Sequence, residues 1–314
     1  MRSMCLHRGA KARSAIGIVG AELLVFLLFL PAPSAAGADG LVHIHVSAEL
    51  LQREALQSVE RDLVVRDVIL GVPVQGKARL KAATSLKLLD GQEKGVFEIV
   101  LTGSAVSATS ANAGQATIHS RTTTRFTARK QIVLDREGLH PQPATCRAVA
   151  TSTITGVASS LPRLRGRIAR RVAWRRAQLQ RAQAELISAR HSEQSIGRDF
   201  DADIARDVRQ ANAWLASRLK SLPAAGGEPQ PRFRTSSEGL KVTELTGSLT
   251  DLAAVQDSLR EIDVAVGLRF DNDHLVLTVG LPRTKADAGG NLAESDWPTI
   301  LPAANLLKLA PRQP

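Results

Sequence analysis

The chain has 314 residues, a net charge of +11, and 3% aromatic residues with no tyrosine. The length allows one large or two modest domains. The scarcity of aromatics excludes the stacking platforms of a single-strand nucleic-acid binder, and two cysteines, Cys5 and Cys146, exclude a disulfide framework.

Residues 1–38 have the build of a secretory signal peptide. Arg2, Arg8, Lys11 and Arg13 form a basic start, and an apolar run from Ala15 to Leu30 is interrupted only by Glu22. Pro31-Ala-Pro-Ser-Ala-Ala-Gly-Ala38 then offers small-x-small cleavage sites. The run is shorter than the ~20 residues that span a bilayer, and Pro31 ends it. Cleavage is therefore expected, with a retained anchor as the alternative. Cys5 precedes the apolar run and cannot be the lipidated residue of a lipoprotein signal. Removing this segment takes away four positive charges and one negative, leaving +8, with Cys146 as the sole cysteine, expected buried or half-buried on a strand. The expected location is exported: periplasmic, secreted or associated with the cell envelope. The partners of a basic protein there are anionic lipid or an acidic envelope polymer, not nucleic acid.

Residues 39–220 open with Val42-His-Ile-His-Val46, which alternates as a strand, and Ser47 is placed to cap a helix from Ala48 to Gln57. From Leu63 the pattern is extended. Segments 67–71, 72–89 and 95–106 are rich in Val, Leu, Thr and Ile and punctuated by glycines at 71, 76, 91, 95 and 103. Asp90-Gly91 marks a hairpin turn. Gln115 to Asp135 alternates throughout. One side carries Ile118, Ser120, Thr122, Thr124, Phe126, Ala128, Lys130, Ile132 and Leu134; the other carries His119, Arg121, Arg125 and Arg129 among threonines. At ~3.3 Å per residue the run would reach roughly 60 Å, so a long curved sheet is expected. His140-Pro-Gln-Pro143 ends it, and Thr145 to Val157 supplies a further strand.

At Leu161 the period becomes helical. Leu164, Ile168, Val172, Leu179, Leu186, Ile196, Phe200, Ile204, Val208, Ala211, Leu215 and Leu219 continue one apolar stripe. Arg163, Arg165, Arg167, Arg170, Arg171, Arg175, Arg176 and Arg181 crowd the other face. Gly197 is the expected break, leaving two helices or one long kinked one of about 85 Å. Asp199-x-Asp201-x-Asp203 then reads as a helix start whose carboxylates offset the dipole. Residues 221–232 read as a linker. Residues 233–282 form a small α+β module, with strands at 240–245, 262–268 and 275–279 and a helix at 251–259, and 283–314 form a flexible tail. The expected fold is α+β: a long curved antiparallel sheet packed on a long basic amphipathic helix, followed by that module.

Catalytic signatures are missing. There is no P-loop, dinucleotide fingerprint, nucleophile elbow or zinc-protease motif. His43 and His45, at i and i+2, are a weak metal pair that needs His119 or His140 to converge. Asp199-x-Asp201-x-Asp203 lacks a calcium loop's glycine and final glutamate, having Ile204 and Gln210 there. Asp271-Asn-Asp273 is turn chemistry. No cofactor is implied and a non-catalytic role is favoured, with an unrecognised hydrolase kept as an alternative. The strongest charge feature is arginine. Arg121, Arg125 and Arg129 on the strand, with Arg163, Arg167, Arg170, Arg171 and Arg175 on the helix, are the candidate contacts to an anionic surface.

Arg66-Asp-Val-Ile-Leu-Gly71 with Gly76, Val96-Phe-Glu-Ile-Val-Leu-Thr-Gly103, and Phe126-Thr-Ala-Arg-Lys130 with Asp135 and Gly138-Leu139 resemble a set of exported bacterial proteins of unknown function over residues 60–220. That resemblance implies fold boundaries and no activity. A strand entering a helix, a very long curved sheet and one long helix also resemble tubular lipid-binding (TULIP-like) domains, which implies an apolar space between sheet and helix. Two functions are expected to compete: a binder of a hydrophobic or amphipathic ligand between sheet and helix, and an interaction protein docking to an anionic membrane or wall through its arginine-rich helix.

Overall fold

Long alternating runs can fold only as long strands, and six of them form one antiparallel sheet. β2 (Gln57–Ile69), β3 (Val72–Leu89), β4 (Gly95–Ala113) and β5 (Ala116–Asp135) follow one another as hairpins. β6 (Gly138–Pro141) and β7 (Thr145–Ser159) share the far edge of β5, β6 against residues 132–135 and β7 against 116–129. The computed structural model describes residues 40–219, 232–247, 265–271 and 274–280. The expected signal segment, residues 221–231 of the expected linker, the expected helix at 251–259 and the expected tail lie outside these residues.

The sheet curls into a half-barrel. Gly76 and Gly103 lie where β3 and β4 come too close for a side chain: a Cβ would sit 2.1 Å from the Ala108 carbonyl oxygen or 2.5 Å from that of Lys81. Such close backbone approach is a usual place for glycine in a curved sheet. On β5 the two sides separate as the alternation dictates. Thr124, Phe126, Ala128, Lys130, Ile132 and Leu134 are buried on the concave face, and Arg121, Arg125 and Arg129 are exposed on the convex one.

A second sheet closes one end. Its order is β10 (Ala265–Asp271), β11 (His274–Gly280), β1 (Gly40–Ser47), β9 (Gly239–Gly247), β8 (Arg232–Ser236), with β1 parallel to β11 and antiparallel to β9. Helix α1 (Ala48–Ala55) leaves β1 through Ser47, whose hydroxyl accepts from the Leu50 amide at 3.3 Å. Thr235 joins the sheets: its hydroxyl accepts from the Val96 amide at 2.9 Å and donates to the Leu89 carbonyl at 2.6 Å. Ile44, Val46, Leu50 and Leu51 share one buried cluster with Phe97, Leu134, Phe200, Phe233 and Leu240. Residues 221–232 thus divide the sequence but not the core, because β1 lies between strands of the C-terminal module.

Helix α2 (Arg163–Leu219) is continuous for 57 residues, about 85 Å at 1.5 Å per residue. The break expected at Gly197 does not occur, and Asp199–Asp203 lies in mid-helix rather than at a start. Glycine costs a helix about 1 kcal/mol against alanine. Here a Cβ would meet that of Cys146 at 3.3 Å, so the bare backbone lets β7 approach. Among the described residues no helix is long and apolar enough to cross a membrane.

Candidate functional site

The outer edge of β7 has no neighbouring strand among the described residues. Helix α2 supplies acceptors in its place. The amides of Ser152, Ala148 and Ala144 donate to Glu185 Oε1 at 2.7 Å, Glu193 Oε1 at 2.8 Å and Asp201 Oδ1 at 2.9 Å. The spacings match: eight helical residues rise about 12 Å, and four strand residues span about 13 Å. Asn212 continues the seam onto β6, accepting from the Leu139 amide and donating to its carbonyl, both at 2.8 Å. On the opposite margin His191 Nδ1 meets Asp67 of β2 at 2.9 Å. Asp201 also receives the ammonium of buried Lys130 at 2.5 Å. That hydrogen bond, with help from the Ala144 amide and against the effect of burial, holds the Asp201 carboxyl below its ordinary range.

Towards its N-terminus the helix loses these attachments. From Arg163 to Arg181 there are eight arginines and no carboxylate. The first turn has no acid, so helix dipole and side-chain charge there have the same sign. Leu164, Ile168, Val172, Leu179 and Leu186 are exposed, Leu179 to 83%. The apolar stripe is buried only further along, where Phe200, Ile204, Val208 and Ala211 enter the half-barrel.

Beside this half-free helix lies an open groove of about 730 Å³, within the range of roughly 300–1,000 Å³ typical of ligand pockets. Leu70 and Val72 of the β2–β3 hairpin, and Ala116 and Ile118 of β5, face Ile168 and Val172 of α2 across it. Arg165, Arg176, Gln115 and Gln180 supply its polar lining; among the described residues no carboxylate does. Leu70 forms the hairpin tip at φ +52°, a left-handed conformation that costs an ordinary residue about 1–2 kcal/mol. Further along the helix is a second cavity, of about 100 Å³. There Ser107, Thr122, Thr124, Ser188 and Ser192 stand among Leu63, Leu80 and Ile196.

The candidate arginines occupy two separate surfaces. Arg163, Arg167, Arg170, Arg171 and Arg175 are exposed together on α2. Arg121, Arg125 and Arg129 are on the convex face of the sheet, and Arg129 pairs with Glu98 at 3.2 Å. Alternation separates them, since the helix packs on the other side of β5. Residues His119 and His140 do not converge on His43 and His45: His119 bonds Ser110 at 3.0 Å and His140 bonds Asp135 at 2.8 Å. Among the described residues the metal-capable group is instead Asp135, Glu137 and His140, and Asp135 already takes Lys94, His140 and the Glu137 amide. Cys146 is half-buried, and burial, with the charge of Glu193, pushes its thiol up to about 11, which keeps it in the unreactive thiol form. Sequence reading missed the carboxylate seam; the eight-residue spacing of Glu185, Glu193 and Asp201 was the available signal. No protein family, curated protein or solved structure matches this chain.

Proposed function

We propose that this is an exported, non-catalytic binding protein that takes an anionic amphiphile into the groove between α2 and the hairpin tips of the sheet. The observation that carries the reading is the lining: facing apolar side chains across an open gap, two arginines and, among the described residues, no carboxylate. An acyl chain laid against Leu70, Val72, Ile118, Ile168 and Val172 gains roughly 0.8 kcal/mol per buried methylene. Arg165 and Arg176 offer forked donors to a carboxylate or phosphate head. The hydroxyls of Thr122, Thr124, Ser188 and Ser192 limit how far the chain extends, because an alkyl tail leaves them unpaired with ligand. The ligand is therefore short-tailed, or leaves much of its tail outside. The exported setting rests on the leader and on the basic charge of the rest of the chain.

Native mass spectrometry of protein purified without detergent from an exporting host tests this. A lipid-mass adduct, and saturable binding of a fluorescent anionic fatty acid, are the expected results. Ile118→Trp fills the groove and removes both, and Arg165→Gln with Arg176→Gln weakens both at least tenfold. Repeated preparations with no adduct and no fatty-acid binding overturn the reading.

A further inference from the structure

We infer that the N-terminal half of α2, from Arg163 to Leu186, is a docking element for an anionic lipid bilayer. At about 100° per residue, Leu164, Ile168, Val172, Leu179 and Leu186 fall within a sector of about 80°. All five are exposed. They form a ridge about 33 Å long, with Arg175 in the same sector between Val172 and Leu179, on a helix whose other half uses the same stripe to fill the core. Soluble surfaces scatter their large apolar residues singly; a continuous stripe marks a surface that meets something.

Charge selects the occupant. Eight arginines and no carboxylate lie between Arg163 and Arg181. A second copy of this helix would bring eight more arginines against them, so self-pairing is opposed by repulsion. An anionic bilayer satisfies both features at once. Its acyl region takes a straight apolar ridge without needing a complementary pocket, and its phosphates accept from arginines flanking the ridge. A strongly basic polar face beside an apolar sector is the composition of helices that lie in a bilayer interface. The positive end of the helix dipole adds to the same field. This inference stands whether or not the groove takes a ligand. Ile168 and Val172 belong to both surfaces, so docking would also set the mouth of the groove against the lipid.

The test is flotation of the protein, purified from an exporting host, with vesicles of phosphatidylcholine alone or mixed with phosphatidylglycerol. Leu164, Leu179, Arg163, Arg167 and Arg170 do not line the groove, so their variants separate docking from ligand binding. Binding to the anionic vesicles is expected to exceed binding to the neutral ones at least tenfold and to weaken, without vanishing, as salt rises to physiological. Leu164→Ser with Leu179→Ser should weaken it at least tenfold with the melting temperature unchanged. Arg163→Gln with Arg167→Gln and Arg170→Gln should weaken it and flatten its salt dependence, while Arg121→Gln with Arg125→Gln leaves it unaltered. Equal binding to neutral vesicles overturns the inference, as does undiminished binding by the leucine variants, which would mark a purely ionic contact. Loss of binding in the outer-face variants would move the site to the sheet, and loss of self-association in the leucine variants, read by sedimentation velocity, would make the occupant a second copy. Ile118→Trp serves as the control that disables the groove and spares docking.

Discussion

The two halves of α2 have the same apolar period and opposite fates. Phe200, Ile204 and Val208 are buried, while Leu164, Ile168, Val172 and Leu179 are exposed. Hydrophobicity does not distinguish them. Acceptors do: Glu185, Glu193, Asp201 and Asn212 fix the helix from Glu185 onwards along the edge of β7 and β6, and nothing acidic continues the seam towards Arg163. An apolar stripe says which face can be buried. Polar groups at a matched rise determine which partner covers it.

The sharpest way to break this comparison is inside the core. Ile204 is fully buried, and Ile204→Ala should cost about 3–4 kcal/mol in denaturant unfolding. Asp201→Ala comes next. It leaves the Ala144 amide unsatisfied and strips Lys130, itself 2% exposed, of its carboxylate. Asp201 retains considerable solvent contact, which reduces the loss below that of a wholly buried pair, to about 2–3 kcal/mol. Glu193→Ala removes one rung and should cost about 1–2 kcal/mol. Hydrogen exchange should locate that loss at the Ala148 amide; a uniform rise across β7 instead would mean that the rungs act only together.

Much of the long sheet was legible because period 2 is unambiguous over twenty residues. The unbroken alternation from Ala116 to Asp135 assigned Phe126 and Lys130 to one side and Arg125 to the other, as they are found. The helix was legible as a stripe, but Gly197 was misread because local propensity says nothing about a strand that needs close approach there. Asp201 was misread for a related reason: an acidic cluster after a glycine has the composition of a helix start, and only the third dimension reveals Lys130 and the Ala144 amide. A space between sheet and helix was expected, but its lining was not legible, since it depends on where two hairpin tips end relative to a helix. Placing β1 between β9 and β11 likewise required pairing across about two hundred residues of chain or more.

A smaller effect runs with pH and lies wholly in the anchored half. Burial, reinforced by the charge of Asp203 and opposed by that of Arg206, raises the Asp207 carboxyl to about 6 from 3.8. One of its oxygens is buried without a hydrogen-bond partner among the described residues. Because the folded value is the higher one, the folded state holds the extra proton between the two values, and stability falls as pH rises through that window. Asp201 has the opposite sign: its folded value is depressed, so its contribution is lost as pH falls. Asp207→Asn should therefore stabilise the protein at pH 7, by about 1 kcal/mol given that the side chain is only half-buried. The gain should vanish below about pH 4 in melts taken across the range. A gain independent of pH would assign the effect to packing rather than to charge.

The smallest expected effect on stability tests the free half directly. Leu179 and Ile204 occupy the same stripe, but Leu179 is 83% exposed and Ile204 is fully buried. Leu179→Ala removes almost no protein contact, so unfolding should shift by less than about 0.5 kcal/mol. A loss approaching that of Ile204→Ala would show that another part of the chain covers this ridge, and the contrast between the halves would disappear. If stability holds and binding to anionic vesicles falls, the stripe has two roles set by position alone. Where carboxylates align it with a strand edge it builds the core; where arginines replace them it is kept for a surface outside the molecule.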